Sequence, residues 1–86
     1  MKTITIQEVS TTGCASCAAA KKVLEDIKKE FPDVHIEYID MFSDKGEKMV
    51  TKHSIMSSPG IIVNGELFSS GGLDKGKLLK KLKALS

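Results

Sequence analysis

Between Thr3 and Ile39 the chain changes hydrophobic period twice, and that double switch restricts the folds open to it more than any other feature. Thr3 to Val9 alternate and are rich in threonine, isoleucine and valine, the pattern of a strand with one buried face. Ser10-Thr11-Thr12-Gly13 interrupts that pattern. From Ala15 to about Glu30 a helix is expected, because Ala20, Val23, Leu24, Ile27 and Phe31 form one continuous apolar face with lysines and acids turned outward. Pro32-Asp33 stops it, and Val34 to Ile39 alternate again as a second strand. Strand, helix and strand in immediate succession make a βαβ unit, whose strands run parallel with a right-handed crossover.

The second half carries shorter signals. Ser43 and Asp44 offer caps for a short helix through about Lys52, which Gly46 weakens. A loop leads to Pro59, and Ile61-Ile62-Val63, Asn64-Gly65 and Glu66-Leu67-Phe68 then read as two strands joined by a two-residue type I′ turn. After Gly71-Gly72, Asp74 caps a last helix whose Leu78, Leu79, Leu82 and Leu85 share a face. The expected order is β-α-β-α-β-β-α, an α/β arrangement with one central sheet covered by helices. The first strand and the Ile61 strand, the most uniformly apolar, belong in its middle. Eighty-six residues enclose one modest core, so a single domain over 1–86 is expected, with no repeat, low-complexity segment or linker.

Charge narrows the choice of partners. The net charge of +2 is too small to mark nucleic acid or anionic membrane as a target. All thirteen basic residues are lysine, so the planar bidentate donor that reads phosphates and guanine edges is missing. No apolar run is long enough to cross a bilayer, and the N-terminus enters a strand without an apolar leader. The expectation is a soluble cytoplasmic monomer with neither nucleic acid nor membrane as partner. The lysine-rich final helix is read as a solvated face, and His35 and His53 as surface residues.

In a reducing cytosol two cysteines spaced C-x-x-C make a poor structural staple, because the loop they close is too short to restrict the unfolded chain much. Cys14-Ala15-Ser16-Cys17 stands where a strand ends and a helix begins. The first cysteine then lies at the helix terminus, where unpaired backbone N–H groups and the positive end of the dipole favour a thiolate, while the second lies a turn inside and is more buried. Cys14 is the expected nucleophile and Cys17 the cysteine that resolves a mixed disulfide.

Three separated features, the C-x-x-C after a strand, Ser58-Pro59 ahead of the Ile61 strand and Gly71-Gly72 ahead of the last helix, together resemble the thioredoxin and glutaredoxin superfamily over nearly the whole chain. The segment Ile55 to Leu67 is similar to that of short single-domain thioredoxin-like proteins of prokaryotes. The resemblance implies a thioredoxin-like fold with a four-stranded mixed sheet and a thiol–disulfide oxidoreductase acting on disulfides in proteins or small molecules. It implies that Pro59 is cis and packs against the cysteines, and that Ser58 pairs with bound substrate through its backbone. Gly13 stands where thioredoxins carry tryptophan, and Ala15-Ser16 matches neither thioredoxins nor glutaredoxins between the cysteines. Gly71, Gly72 and Asp74 look like the segment with which glutaredoxins grip glutathione. With Gly13, Ser58 and Pro59 they form the set of candidate substrate contacts. No resident cofactor or metal is implied, and the electron donor is either glutathione, as co-substrate, or a thioredoxin reductase. Glu8 lies six residues before Cys14, the offset at which thioredoxins bury an aspartate that helps deprotonate the resolving cysteine. The cost of burying a carboxylate, several kcal/mol, favours instead a strand-end glutamate in water.

Two other functions compete for the same cysteines. Thr12-Gly13-Cys14-Ala15-Ser16-Cys17 before a helix also resembles the heavy-metal-associated domains that carry copper(I), a soft ion suited to two thiolates. Those domains place methionine where Thr12 stands, and their βαββαβ order lacks Ser58-Pro59 and an Asn-Gly hairpin. A glutathione-dependent iron–sulfur carrier is the other alternative, as in some glutaredoxins. Tetrahedral zinc would need two further ligands, and His35 and His53 stand at no recognised spacing.

Overall fold

The computed structural model describes residues 3–85. Its elements follow in the order β1 (Thr5–Ser10), α1 (Ala15–Glu30), β2 (His35–Asp40), α2 (Asp44–His53), β3 (Gly60–Val63), β4 (Glu66–Ser70) and α3 (Lys75–Leu85). The strands form one four-stranded sheet in the order β2-β1-β3-β4. β1 and β2 are parallel, Thr5 opposite His35 through Ser10 opposite Asp40. β1 and β3 are antiparallel, with Glu8 opposite Ile61, and the β3–β4 hairpin carries an irregularity at Ile61/Ile62. The two apolar strands therefore occupy the centre, as their composition predicts. β1 begins two residues later than the alternation suggests, because its pairing with β2 starts at Thr5, and β4 runs on to Ser70.

Period-two side-chain alternation divides the core between the faces of this sheet. Ile4 and Ile6 before and on β1, Ile61 and Val63 on β3, Ala20, Leu24 and Ile27 on α1, and Leu78 and Leu82 on α3 form one buried cluster. Val9, Ile39 and Ile62 turn the other way, where Ile55, Met49 and Val50 complete a smaller one. Full burial of a leucine or isoleucine side chain contributes roughly 1.5–3 kcal/mol, and Leu24, Ile27, Leu78 and Leu82 are all wholly enclosed. These side chains hold α1 and α3 against the sheet.

Local chemistry sets the boundaries. The Phe31 amide closes α1 on the Ile27 carbonyl at 2.7 Å, and the Lys28 ammonium donates to the carbonyls of Pro32 (2.7 Å) and Val34 (2.6 Å). Ser43 caps α2, its hydroxyl accepting from the Gly46 amide at 3.0 Å and donating to the Asp40 carbonyl at 2.6 Å. Gly46 costs helix propensity, but a Cβ there would overlap the Asp40 carbonyl oxygen and stand 2.7 Å from the Met41 Cα. The close approach of α2 to the end of β2 requires a residue without a side chain. Asn64 and Gly65, with φ of 50° and 82°, make the expected turn, and the Asn64 side chain also accepts from the Thr5 amide at 2.9 Å. Asp74 caps α3 through the Lys77 amide at 3.0 Å.

Candidate functional site: a cysteine pair over a buried carboxyl

After β1 the chain turns at Gly13, whose φ of +79° suits a residue without Cβ, and delivers Cys14 to the N-cap of α1. The Cys14 carbonyl accepts the Ala18 amide at 3.1 Å, and its Sγ accepts the Cys17 amide, also at 3.1 Å. Sulfur thus occupies the place that a serine or aspartate oxygen usually takes at a helix start. Cys14 and Cys17 are joined as a disulfide with Cα atoms 5.2 Å apart. Cys14 is half-buried, whereas Cys17 retains 5% exposure. Of the two sulfurs, the one at the amide end of the helix is the one a partner can reach.

The loop before β3 closes over the pair. The Ser58–Pro59 peptide is cis, Pro59 is buried, and the Ser58 hydroxyl lies 3.5 Å from the Cys14 Sγ. Gly71 holds this loop from the far side: its amide donates to the Pro59 carbonyl at 2.9 Å, and its φ of +87° leaves the Ser57 hydroxyl 2.7 Å from where a Cβ would stand. Gly72 and Asp74 lie further off, in a separate depression of about 640 Å³ beside Ser69 and Lys77, where neither cysteine contributes to the lining. Gly72 accepts the Ser69 hydroxyl at 2.8 Å, and Asp74 is engaged as the α3 cap. The structure therefore brings Gly13 and Ser58, with the cis Pro59 loop, to the cysteines, while Gly71 reaches that loop only through the Pro59 carbonyl and lines the separate depression with Gly72 and Asp74.

Glu8 corrects the expectation of a glutamate in water. It is 1% exposed, because β1 is a central strand and alternation turns residue 8 to the same face as Ile4 and Ile6, beneath α1. Together with Gly13, Cys14, Cys17, Lys21 and Tyr38 it lines a cavity of about 230 Å³. Among the described residues its Oε2 finds no hydrogen-bond partner. Burial pushes its pKa from the ordinary 4.5 up to about 7, against the opposing pull of the Lys21 ammonium. Tyr38 is raised too, through its own burial first and then through the charges of Glu8 and Glu25. The sequence reading missed Lys21 and Tyr38. Their signals were present: Lys21 follows Cys17 by one helical turn, and Tyr38 is the parallel-strand neighbour of Glu8. His35 is exposed on the edge strand and His53 is half-buried at the end of α2; neither lines the cysteine cavity.

A reachable sulfur at a helix start and a buried partner sulfur one turn inside it are the arrangement that reversible dithiol–disulfide exchange uses. Fold and sulfur chemistry converge on the thioredoxin-like thiol–disulfide oxidoreductases. The profile of a family described as a thioredoxin domain matches residues 3–83. The chain is 32% identical over 84 residues to the thioredoxin of Methanocaldococcus jannaschii, covering 96% of both chains. It is 34% identical over 79 residues to the mitochondrial glutaredoxin-2 of Mus musculus, covering 88% of this chain but only about half (48%) of that longer one. The thioredoxin structure from Trypanosoma brucei brucei superposes with a TM-score of 0.74 at 25% identity, covering 95% of this chain and 74% of its own. The chain belongs to the thioredoxin domain family, and it is a thiol–disulfide oxidoreductase whose redox pair is Cys14 and Cys17. Its observed element order also departs from the βαββαβ order of a copper-carrying module, and among the described residues no group of three or more histidine, cysteine or acidic side chains gathers into a metal-binding cluster.

Proposed function

We propose that this protein reduces disulfides in partner proteins or small molecules, with Cys14 as nucleophile, Cys17 as resolving cysteine and Glu8 as proton acceptor. In the reduced state the Cys14 thiolate is stabilised by the Cys17 amide and the N-terminal end of α1. It attacks one substrate sulfur, the substrate S–S bond breaks, and the departing thiolate takes up a proton from solvent. Cys17 then loses its proton to the Glu8 carboxylate and attacks the Cys14 sulfur. The Cys14–Cys17 bond forms, the second substrate thiolate leaves, and two electrons have passed from protein to substrate. The Ser58 hydroxyl 3.5 Å from the Cys14 Sγ supports a reading in which an extended substrate segment runs along the Ser58–Pro59 backbone, with Gly13 and Gly71 as further contacts.

The observation that carries this reading is the asymmetry of the pair, one sulfur half-exposed at the N-cap and the other buried above Glu8. Electrons are returned by a flavoprotein thioredoxin reductase or by glutathione. The depression at Gly71, Gly72 and Asp74 is where the glutathione co-substrate would rest. The protein works as a cytoplasmic monomer with no resident cofactor, and neither nucleic acid nor membrane is a partner. Among the described residues no helix is long and apolar enough to cross a membrane. Cys17→Ser should trap mixed disulfides through Cys14, visible by mass spectrometry of non-reduced protein. If that variant traps nothing while disulfide reduction continues, the assignment is wrong.

A further inference from the structure

Glu8 and Cys17, at 1% and 5% exposure, need a way to exchange protons and a means of making a carboxylate tolerable beneath α1. The cavity they share has two wetter walls, Lys21 on α1 and Tyr38 on β2. The Lys21 ammonium stands 5.3 Å from the centre of the Tyr38 ring, near enough for the face of the ring to hold the cation in place. Tyr38 keeps 44% exposure, so this pair forms the outer wall of the cavity between Glu8 and solvent. The ionisable groups around Glu8 are Cys14, Cys17 and Lys21 from the α1 side and Tyr38 from β2, while its β3 partner, Ile61, carries none. Lys21 is the only cation in that set.

We propose that Lys21 is a positioning residue for the exchange reaction: held over the Tyr38 ring at the mouth of the cavity, its ammonium stabilises the Glu8 carboxylate and so keeps that group able to take the Cys17 proton. The inference rests on Glu8 being the proton acceptor. Its physical basis is that charges facing one another across a small space walled by protein interact more strongly than charges across bulk water. Burial raises Glu8 and Lys21 opposes it. Without the cation, Glu8 stays protonated to higher pH and cannot accept a proton from Cys17.

The test uses Lys21→Met, which keeps the stem and removes the charge, Lys21→Arg, which restores the charge, and Glu8→Gln. The Glu8 carboxyl is followed by ¹³C NMR in the oxidised protein, where no thiol titrates. The rate of Cys17 attack is read from release of the second thiolate of a chromogenic aromatic disulfide in a single turnover of the reduced protein. In Lys21→Met the Glu8 titration should rise by about half a pH unit or more, and the limb of the pH–rate profile on which the rate climbs as Glu8 ionises should move with it, which is roughly a threefold loss of rate below that limb. Lys21→Arg should bring both back. A limb that disappears in Glu8→Gln but stays in place in Lys21→Met, with Glu8 titrating as in the wild type, overturns the role of Lys21 alone. A limb that survives Glu8→Gln overturns the proton-acceptor reading and this inference with it. A merely structural lysine would change stability and leave the Glu8 titration where it was.

Discussion

Replacing Glu8 by glutamine should remove a pH-dependent weakness from the fold. In the folded chain Glu8 titrates at about 7, against an ordinary 4.5, because of its burial. A carboxyl raised by folding binds its proton more tightly in the native than in the unfolded state. Its contribution is therefore intact below about pH 4.5 and is lost as pH rises through the folded value near 7. At about 1.4 kcal/mol per pH unit, the full effect is roughly 3 kcal/mol, of which roughly 2–3 kcal/mol falls between pH 5 and pH 8. That is a large part of the ~5–15 kcal/mol by which domains of this kind are stable. Glutamine has the same shape and no charge. Its amide, left without a partner where Glu8 Oε2 has none, carries a constant cost of about 1–3 kcal/mol that does not alter the slope. Urea unfolding of the oxidised protein at several pH values is the assay, since His35, His53 and the surface carboxylates are common to both proteins. The wild type should lose roughly 2–3 kcal/mol relative to Glu8→Gln from pH 5 to pH 8. Parallel stability curves for the two proteins would refute the reasoning, because they would mean that the carboxyl titrates in the fold as it does in water.

Gly46→Ala should destabilise the protein by more than about 1 kcal/mol although alanine is the better helix former, because its Cβ meets the Asp40 carbonyl; thermal unfolding checks it, and a gain in stability would contradict the close approach of α2 to β2. Gly71→Ala should cost about 1–2 kcal/mol through its left-handed backbone, and should also slow mixed-disulfide formation by displacing the Ser57–Pro59 loop; stopped-flow thiol exchange beside urea unfolding separates the two effects.

Much of the chemistry was legible along the chain because it is local. A C-x-x-C pair entering an amphipathic helix determines which sulfur caps the helix and which is buried one turn in, and the Cys14 Sγ to Cys17 amide bond bears this out. The Asn64-Gly65 turn, the Ser43 and Asp74 caps and the central placement of the two most apolar strands depend on short-range backbone preference and burial, both readable from residue type. Gly46 was read as a helix-weakening residue, and its reason emerged only when α2 was seen resting on the end of β2.

What residue order determined by itself was the sequence of elements, the reactive motif and the polarity of the cysteine pair, since each arises from neighbours within a turn or a strand. The tertiary structure decided the environment of Glu8, a charged residue whose type argues for water but whose position on a central strand, under α1, denies it. It also decided that Lys21 and Tyr38, seventeen residues apart and without a motif between them, meet over that carboxyl, while Gly72 and Asp74 are left to a separate depression. Burial and proximity are properties of the packed sheet and helices, and the free energy of a buried charge has no value until the elements around it are in place.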